Sequence, residues 1–434
     1  MRKLFFLLLL FPSVYYSQEV INLERAIQLA VSNNFNIKIA SNNIERAEKQ
    51  HHIGNAGMLP TVSSSATLFN RGVGIVEQTR QGFTDVINPA TTRNFRYGLG
   101  VDQTIFDGLA MFRTYNRLAE LVDFQSLKKQ EEVENVISQV ITSYYDLLLA
   151  QNAVKTQEET ITLSAERVAL ASKRVKLGSA TRLDLLNAQV DLANDSTSLL
   201  ETQRSLRQSK AYLDYLLSLP TGQTQKSYAD TVILNKGFLS SLEPRHTTAN
   251  VLLKQSQKNE VITELDYKLY KAAKLPKLYL SLDFNHSKSQ SDYGFANKSV
   301  SDQFSFGITA SYTIFQGFQR DIQMQTAKID QLNQQLQSDE IASRIQRDFV
   351  TSQENFRIRV QQFELEEKNL SLYQENYERS KQAYEYGKIT PSQLREAQLN
   401  LFQSKRRLYE SMVSAKREEV ELLRLTGRLL SFSQ

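Results

Sequence analysis

The sequence predicts a mostly α-helical, internally duplicated chain in which each copy joins a pair of membrane-type β-strands to a very long helical hairpin. Three observations predict it. Gly108 to Gly178 and Gly317 to Gly387 are both intervals of 70 positions, and neither contains an internal glycine or any proline. Four segments alternate apolar and polar residues with a period of two. Finally, Thr104-Ile105-Phe106-Asp107-Gly108 returns as Thr313-Ile314-Phe315-Gln316-Gly317, 209 positions later. Similarity at a fixed offset is the signature of a duplicated structural unit.

In chain order, the first element is an export leader over residues 1–17. Arg2 and Lys3 form its basic start and Leu4 to Phe11 its apolar core, which is too short to span a bilayer as a helix. No later run of about 18 apolar residues predicts a membrane helix. The mature chain divides into a first repeat over 18–219, a linker with short local structure over 220–247, a second repeat over 248–427 and a tail over 428–434. Each repeat opens with an amphipathic helix, near 22–52 and 248–274. Strands follow near 61–70 and 94–106, and near 276–286 and 302–315. The stretches between paired strands, about 70–93 and 287–301, are polar and read as loops.

The long helices are expected over 108–177 and 317–386. A breaker-free run of that length makes a helix of about 100 Å. The return helices are expected over 181–219 and 391–426, with Pro391 suited to a first helical turn. They carry matching heptads. Leu185, Leu192, Leu199, Leu206 and Leu213 fall every seventh residue, with Ala188, Asp195, Thr202 and Ser209 three further on. Leu394, Leu401, Leu408, Ala415 and Leu422 do the same beside Ala397, Ser404 and Ser411. A large apolar seam beside a small one suits close coiled-coil packing, in a soluble or a membrane protein alike.

The alternating segments are clearest at Leu278, Leu280, Leu282 and Phe284 and at Phe304, Phe306, Ile308 and Ala310. Each is about ten residues long, enough to cross a bilayer as a tilted strand. Aromatic residues sit at several ends (Phe69, Phe95, Phe106, Tyr279, Phe315), where interfacial girdles belong. Alternation alone equally fits a half-buried sheet of a soluble protein. The export leader and the presence of only four strands beside some 300 helical residues favour the membrane. Four strands cannot close a barrel, and open edges are not tolerated in lipid, so the barrel must be shared between chains.

Composition excludes several classes. With 41% hydrophobic and 23% charged residues the chain is neither disordered nor a bundle of membrane helices. It has no cysteine, hence no disulfide framework and no thiol chemistry. Net charge is +5, with both signs interspersed, and does not point to nucleic acid. His51 and His52 are adjacent and diverge on a helix, unlike a metal pair, and Gly72-Val73-Gly74 lacks the context of a phosphate loop. No cofactor, metal or catalytic residue is expected, and the chain is not read as an enzyme.

With these pieces in place the chain resembles the TolC-like outer-membrane efflux family. Leu59-Pro60 and Leu275-Pro276, the two Thr-Ile-Phe-x-Gly junctions and the tips Leu177-Gly178-Ser179-Ala180-Thr181 and Tyr386-Gly387-Lys388-Ile389-Thr390 carry the resemblance. It implies a homotrimer with a twelve-stranded barrel in the outer membrane of a Gram-negative cell and a periplasmic helical barrel. It implies a passive exit duct of a tripartite efflux or type I secretion system. Such a duct receives drugs, detergents, metal ions or proteins from an inner-membrane pump through a periplasmic adaptor. Adaptor docking is then expected at Leu177, Gly178, Thr181, Tyr386, Gly387 and Thr390. A pore constriction is expected at Asp184, Gln393 and Glu396. Gln393 departs from the aspartate often found at its position, and Asp184 equally suits a helix N-terminus. The alternative is a soluble periplasmic coiled-coil scaffold or adaptor, which should show one hairpin and a lipoyl-like or β-sandwich module.

Overall fold

A computed structural model describes residues 20–220, 227–228, 244–294 and 296–432. The leader expected over 1–17 lies outside the described residues, as do most of the linker expected over 220–247 and the last two residues of the tail. In order the elements are β1 (Val20–Ile21), α1 (Leu23–Asn33), α2 (Phe35–Gln50), β2 (Thr61–Arg80), β3 (Phe83–Phe106), α3 (Ala110–Lys176), α4 (Arg182–Leu216), β4 (Ser227–Tyr228), a 3-10 turn (Pro244–Ala249), α5 (Val251–Ala272), β5 (Lys277–Ser291), β6 (Lys298–Ser311), α6 (Gln319–Glu385), α7 (Pro391–Leu425) and α8 (Leu429–Phe432). The duplication is metrically strict: α3 and α6 have 67 residues each, and α4 and α7 have 35 each. Among the described residues no helix is long and apolar enough to cross a membrane.

The chain forms two compact units, and both cut across the sequence halves. One takes Met1–Ala40, Lys129–Val251 and Ala342–Gln434; the other takes Ser41–Lys128 and Leu252–Ile341. We call them the hairpin unit and the strand unit.

In the hairpin unit the core gathers Ile27 and Ala30 of α1, Ile137, Ile141 and Leu148 of α3, Leu213 and Leu216 of α4, and Val420 and Leu423 of α7. β1 pairs in parallel with β4, Ile21 opposite Tyr228. Tyr144 from α3 donates to the Ile21 carbonyl at 2.9 Å, and Tyr228 donates to Asp214 of α4 at 2.5 Å. The single helix expected over 22–52 is two helices. Asn34 leaves the helical region at φ −57°, ψ 132°. Its side chain accepts from the Asn36 amide and donates to the Leu216 carbonyl. An asparagine that can bond its own backbone and a neighbouring helix end competes with helix continuation.

The strand unit holds one antiparallel sheet in the order β2-β3-β5-β6. Register explains its two faces. Leu99, Phe284 and Phe304 lie in one row across three strands, and Val101, Leu282 and Phe306 in the next row on that side. The opposite side carries the rows Gly98-Asn285-Gln303 and Gly100-Asp283-Ser305. A Cβ on Gly98 would stand 2.6 Å from Asn285 Oδ1, so the glycine makes room for the polar side chain on that face.

Two expectations about the strands are corrected. Residues 70–93 are not a loop: β2 and β3 stay paired as far as Arg80 and Phe83 and turn at Gln81-Gly82, whose φ values are 51° and 87°. A two-residue loop with both φ positive matches strand twist, and Thr, Val and Ile on both arms suit the ladder despite Gly72, Gly74 and Pro89. Likewise β5 runs on to Ser291 and β6 starts at Lys298. At its other end β6 stops at Ser311, so the strand expected to reach 315 is shorter; Lys277 opposite Ser311 is the last rung of the β5–β6 ladder.

Candidate functional site

Both hairpin tips are built by the same local chemistry. At the end of α3 the Gly178 amide donates to Val175 and the Ser179 amide to Arg174; at the end of α6 the Gly387 amide donates to Tyr384 and the Lys388 amide to Ala383. This bonding satisfies the last helical carbonyls and needs a left-handed residue, here Gly178 at φ 73° and Gly387 at φ 72°. The return helices then open with capping boxes. The Thr181 hydroxyl accepts from the Asp184 amide at 3.2 Å while Asp184 Oδ2 accepts from the Thr181 amide at 2.9 Å. Thr390 and Gln393 repeat the arrangement at 3.3 and 2.8 Å. Asp184 and Gln393 are thus two side chains for one structural task. The two bonds from Thr181 hold the Asp184 carboxyl below the ordinary carboxylate range.

The remaining expected site residues are exposed at or beside these turns. Leu177 and Tyr386 are 80% and 79% exposed. Gly178, Thr181, Gly387, Thr390 and Glu396 are exposed as well. The tips adjoin one another. Arg174 lies over the Tyr384 ring at 5.1 Å. Asp184, Tyr384, Pro391 and Ser392 line one cavity of about 290 Å³ with Arg167 and Arg395.

Behind the tips lies a polar cluster that sequence reasoning missed. Arg395 of α7 grips Asp195 of α4 with Nη2 at 2.6 Å and Nη1 at 2.9 Å. The Ser164 hydroxyl of α3 donates to the same carboxylate at 2.6 Å, and Gln398 donates to Ser164 at 3.3 Å. Beside them Arg167 donates to Asp191 at 2.6 Å, while its buried Nε has no partner among the described residues. Burial pushes the Arg167 guanidinium down from its ordinary value, against the pull of Asp191. Fork-to-fork pairing of arginine and carboxylate is directional as well as strong. It fixes the return helix of the second hairpin to both helices of the first. The one signal in the sequence is Asp195 in the small heptad seam, where the second copy has Ser404. Among the described residues no group of three or more His, Cys, Asp or Glu side chains is arranged to hold a metal ion.

A sheet with one apolar face and, among the described residues, two unpaired edges, in a chain that also forms two long helical hairpins, is the architecture of a membrane conduit. The sequence profile of the outer membrane efflux protein family matches residues 26–218 and again 249–428, and the chain belongs to that family. It is 22% identical over 423 residues to the cation efflux system protein CusC of Escherichia coli (strain K12), covering 92% of this chain and 85% of the relative. The fold matches the CmeC outer membrane channel of Campylobacter jejuni with a TM-score of 0.77 at 15% identity, over 94% of this chain and 86% of that one. It also matches the open state of the MtrE outer membrane channel of Neisseria gonorrhoeae with a TM-score of 0.71 at 14% identity, over 94% and 89%. The chain is therefore an outer-membrane efflux channel, a conduit and not an enzyme.

Proposed function

We propose that three copies share one twelve-stranded barrel in the outer membrane, reached by way of the leader over 1–17, and that their hairpins form the periplasmic part of a passive duct. The observation that carries this is the open sheet. Among the described residues β2 and β6 each have one partner only, and the apolar row on β6, Phe304, Phe306 and Ile308, is exposed. An apolar face suits lipid, but open edges are satisfied there only when a barrel closes.

The duct is fed by an inner-membrane pump through a periplasmic adaptor, and the adaptor docks at Leu177, Gly178, Thr181, Tyr386, Gly387 and Thr390. Two large apolar side chains fully presented at turns support that reading, because such residues ordinarily seek a partner. Asp184, Gln393 and Glu396 border the narrow end of the duct. The first two are engaged in capping boxes, which leaves Glu396 as the carboxylate free to act on passing cations. Cargo is a drug, detergent, metal ion or protein chosen by the pump. The kinship with a cation efflux protein puts monovalent and divalent cations first among cargoes to assay. Carbonate washing of membranes followed by native mass spectrometry in detergent tests the proposal. Retention in the membrane and a trimer mass are expected; extraction by carbonate, or a monomer mass, would overturn it.

A further inference from the structure

The apolar face of the sheet changes character in steps along the strands. Its four rows from Leu278–Ala310 to Leu99–Phe284–Phe304 carry no charge. The next row sets Tyr97 beside His286, their rings stacked at 4.8 Å, and His286 Nδ1 lies 2.6 Å from Asp302. Then comes Phe95, whose ring is 5.9 Å from that of Tyr97. Lys288 is the cross-strand partner of Phe95, and the row after it holds Arg71, Arg93 and Lys298. Cross-strand partners share a face, so apolar rows, an aromatic step and a basic row follow one another on a single surface.

The step falls at a telling depth. Leu278 and Lys288 are ten positions apart. That is about 33 Å along a strand, and about 25 Å of depth at a tilt of about 40°, the height of the apolar band of an outer-membrane barrel. Aromatic side chains mark the level where tails give way to headgroups. The four basic residues stand just beyond it.

Arg71 and Arg93 are direct partners across β2 and β3. Like charges directly opposite destabilise a sheet, so the pair calls for an anion. Among the described residues none of Arg71, Arg93, Lys288 and Lys298 has a carboxylate within ion-pair distance, and all four are exposed. Asp292 attracts Arg71 only at longer range, and is itself held by the Thr91 amide and hydroxyl at 2.6 Å each. With Asp292 and Asp302 both counted, this level of the face keeps two positive charges in excess. The opposite face at the same level has Arg96 beside Thr67, Ser287 and Ser301, and Asn94 beside Asn70 and Ser289.

We propose that Arg71, Arg93, Lys288 and Lys298 dock the phosphorylated headgroup of a lipid in the outer leaflet. This rests on the membrane barrel proposed above, with the strand turns outside and the helices in the periplasm. The occupant is a lipid because the basic row continues the apolar rows without a break: one molecule lays its chains on Phe284 and Phe304 and its headgroup on the charges. The headgroup is phosphorylated because an arginine fork bonds phosphate through two parallel N–H donors. Neighbouring strands are about 4.8 Å apart, so Arg71 and Arg93 reach one phosphate together. Lys288 lies about 7 Å further along the strand, placed for a second. In a closed ring of chains the row repeats as a belt.

The probe is a bis-phosphorylated glycolipid titrated into the detergent-solubilised protein, with the bound fraction read by native mass spectrometry. Saturable binding is expected, and much weaker binding of the same glycolipid stripped of its phosphates. One basic side chain at an anionic lipid surface is worth about fivefold in affinity. Arg93→Gln with Lys288→Gln should therefore lower affinity by about tenfold or more, and adding Arg71→Gln and Lys298→Gln should lower it further. Arg93→Gln alone, expected at about fivefold, stands in should the pair fail to fold. Arg96→Gln, on the opposite face, should leave binding unchanged. Equal affinity for the two glycolipids, or for the variants and the unaltered protein, overturns the row. Displacement of the glycolipid by inorganic phosphate at equal phosphorus concentration assigns the row to a free anion and overturns the lipid. A monomer mass overturns the barrel and the row together; a trimer mass without preference for phosphate overturns the row alone.

Discussion

Arg395 Nη2 lies 2.6 Å from Asp195 Oδ1, joining the return helices of two different hairpins through one salt bridge. Their side chains are only 14% and 9% exposed. Breaking one half of such a pair strands the other, so Asp195→Ala alone should cost about 3–5 kcal/mol. The double change Asp195→Ala with Arg395→Met should recover more than half of that, because no charge is left unpaired. Chemical denaturation of the four members of the double-mutant cycle measures the coupling.

The two tips should part company in acid. The Asp184 carboxyl titrates below its ordinary value because Thr181 bonds its charged form. A depressed folded value means that its contribution is present above the unfolded carboxylate value, about 3.9, and is lost as pH falls through the folded one. Gln393 does not titrate. The Thr181 amide, which donates to the Asp184 carboxylate, should therefore lose exchange protection as pH falls below the ordinary carboxylate value of about 3.9 and through the lower folded one, while the Thr390 amide keeps its own. Asp184→Asn should remove the difference.

Ser218 stands where the second copy has Gly427, 209 positions on. It holds φ 55° and its buried hydroxyl has no partner among the described residues. Ser218→Gly should stabilise the protein by about 1–2 kcal/mol, the ordinary penalty of a left-handed non-glycine residue. Gly427→Ala should do the opposite, and more severely, since a Cβ there would meet the Ala249 carbonyl at 2.7 Å. Thermal unfolding of the two variants measures both.

Adjacent strand positions should respond oppositely to charge. Phe306→Arg, on the apolar face, should destabilise the folded protein in lipid vesicles by about 2–4 kcal/mol. Ser305→Arg, on the polar face, should leave stability nearly unchanged and shift ion preference in planar bilayers toward anions.

The repeats, the long hairpins and the alternation of the sheet are legible in the sequence because each rests on periodicity: an offset of 209, a breaker-free run, a period of two. The arm of the first strand hairpin beyond residue 70 was illegible because Gly72, Gly74 and Pro89 read as loop while pairing across the ladder kept it extended. The break at Asn34 rests on a tertiary bond to Leu216 that no local pattern announces. The difference between Asp184 and Gln393 is visible in the sequence, while the capping box that each of them closes emerges only with the turn geometry. The Arg395–Asp195 bridge lies 200 positions apart in sequence, and nothing about either residue alone reveals the other.

The two copies match where the hairpins turn and differ where the strands turn. α3 and α6 are equal at 67 residues, but β2 and β3 run for 20 and 24 residues against 15 and 14 for β5 and β6. In a closed ring of three chains, anything approaching from the periplasm would meet six turns of nearly equivalent make. Anything approaching from outside the cell would meet a crenellated rim, three tall merlons alternating with three low ones. A quasi-six-fold binder would fit only the first end, whereas an antibody raised against the tall turns at Gln81-Gly82 would find three sites, all at the second.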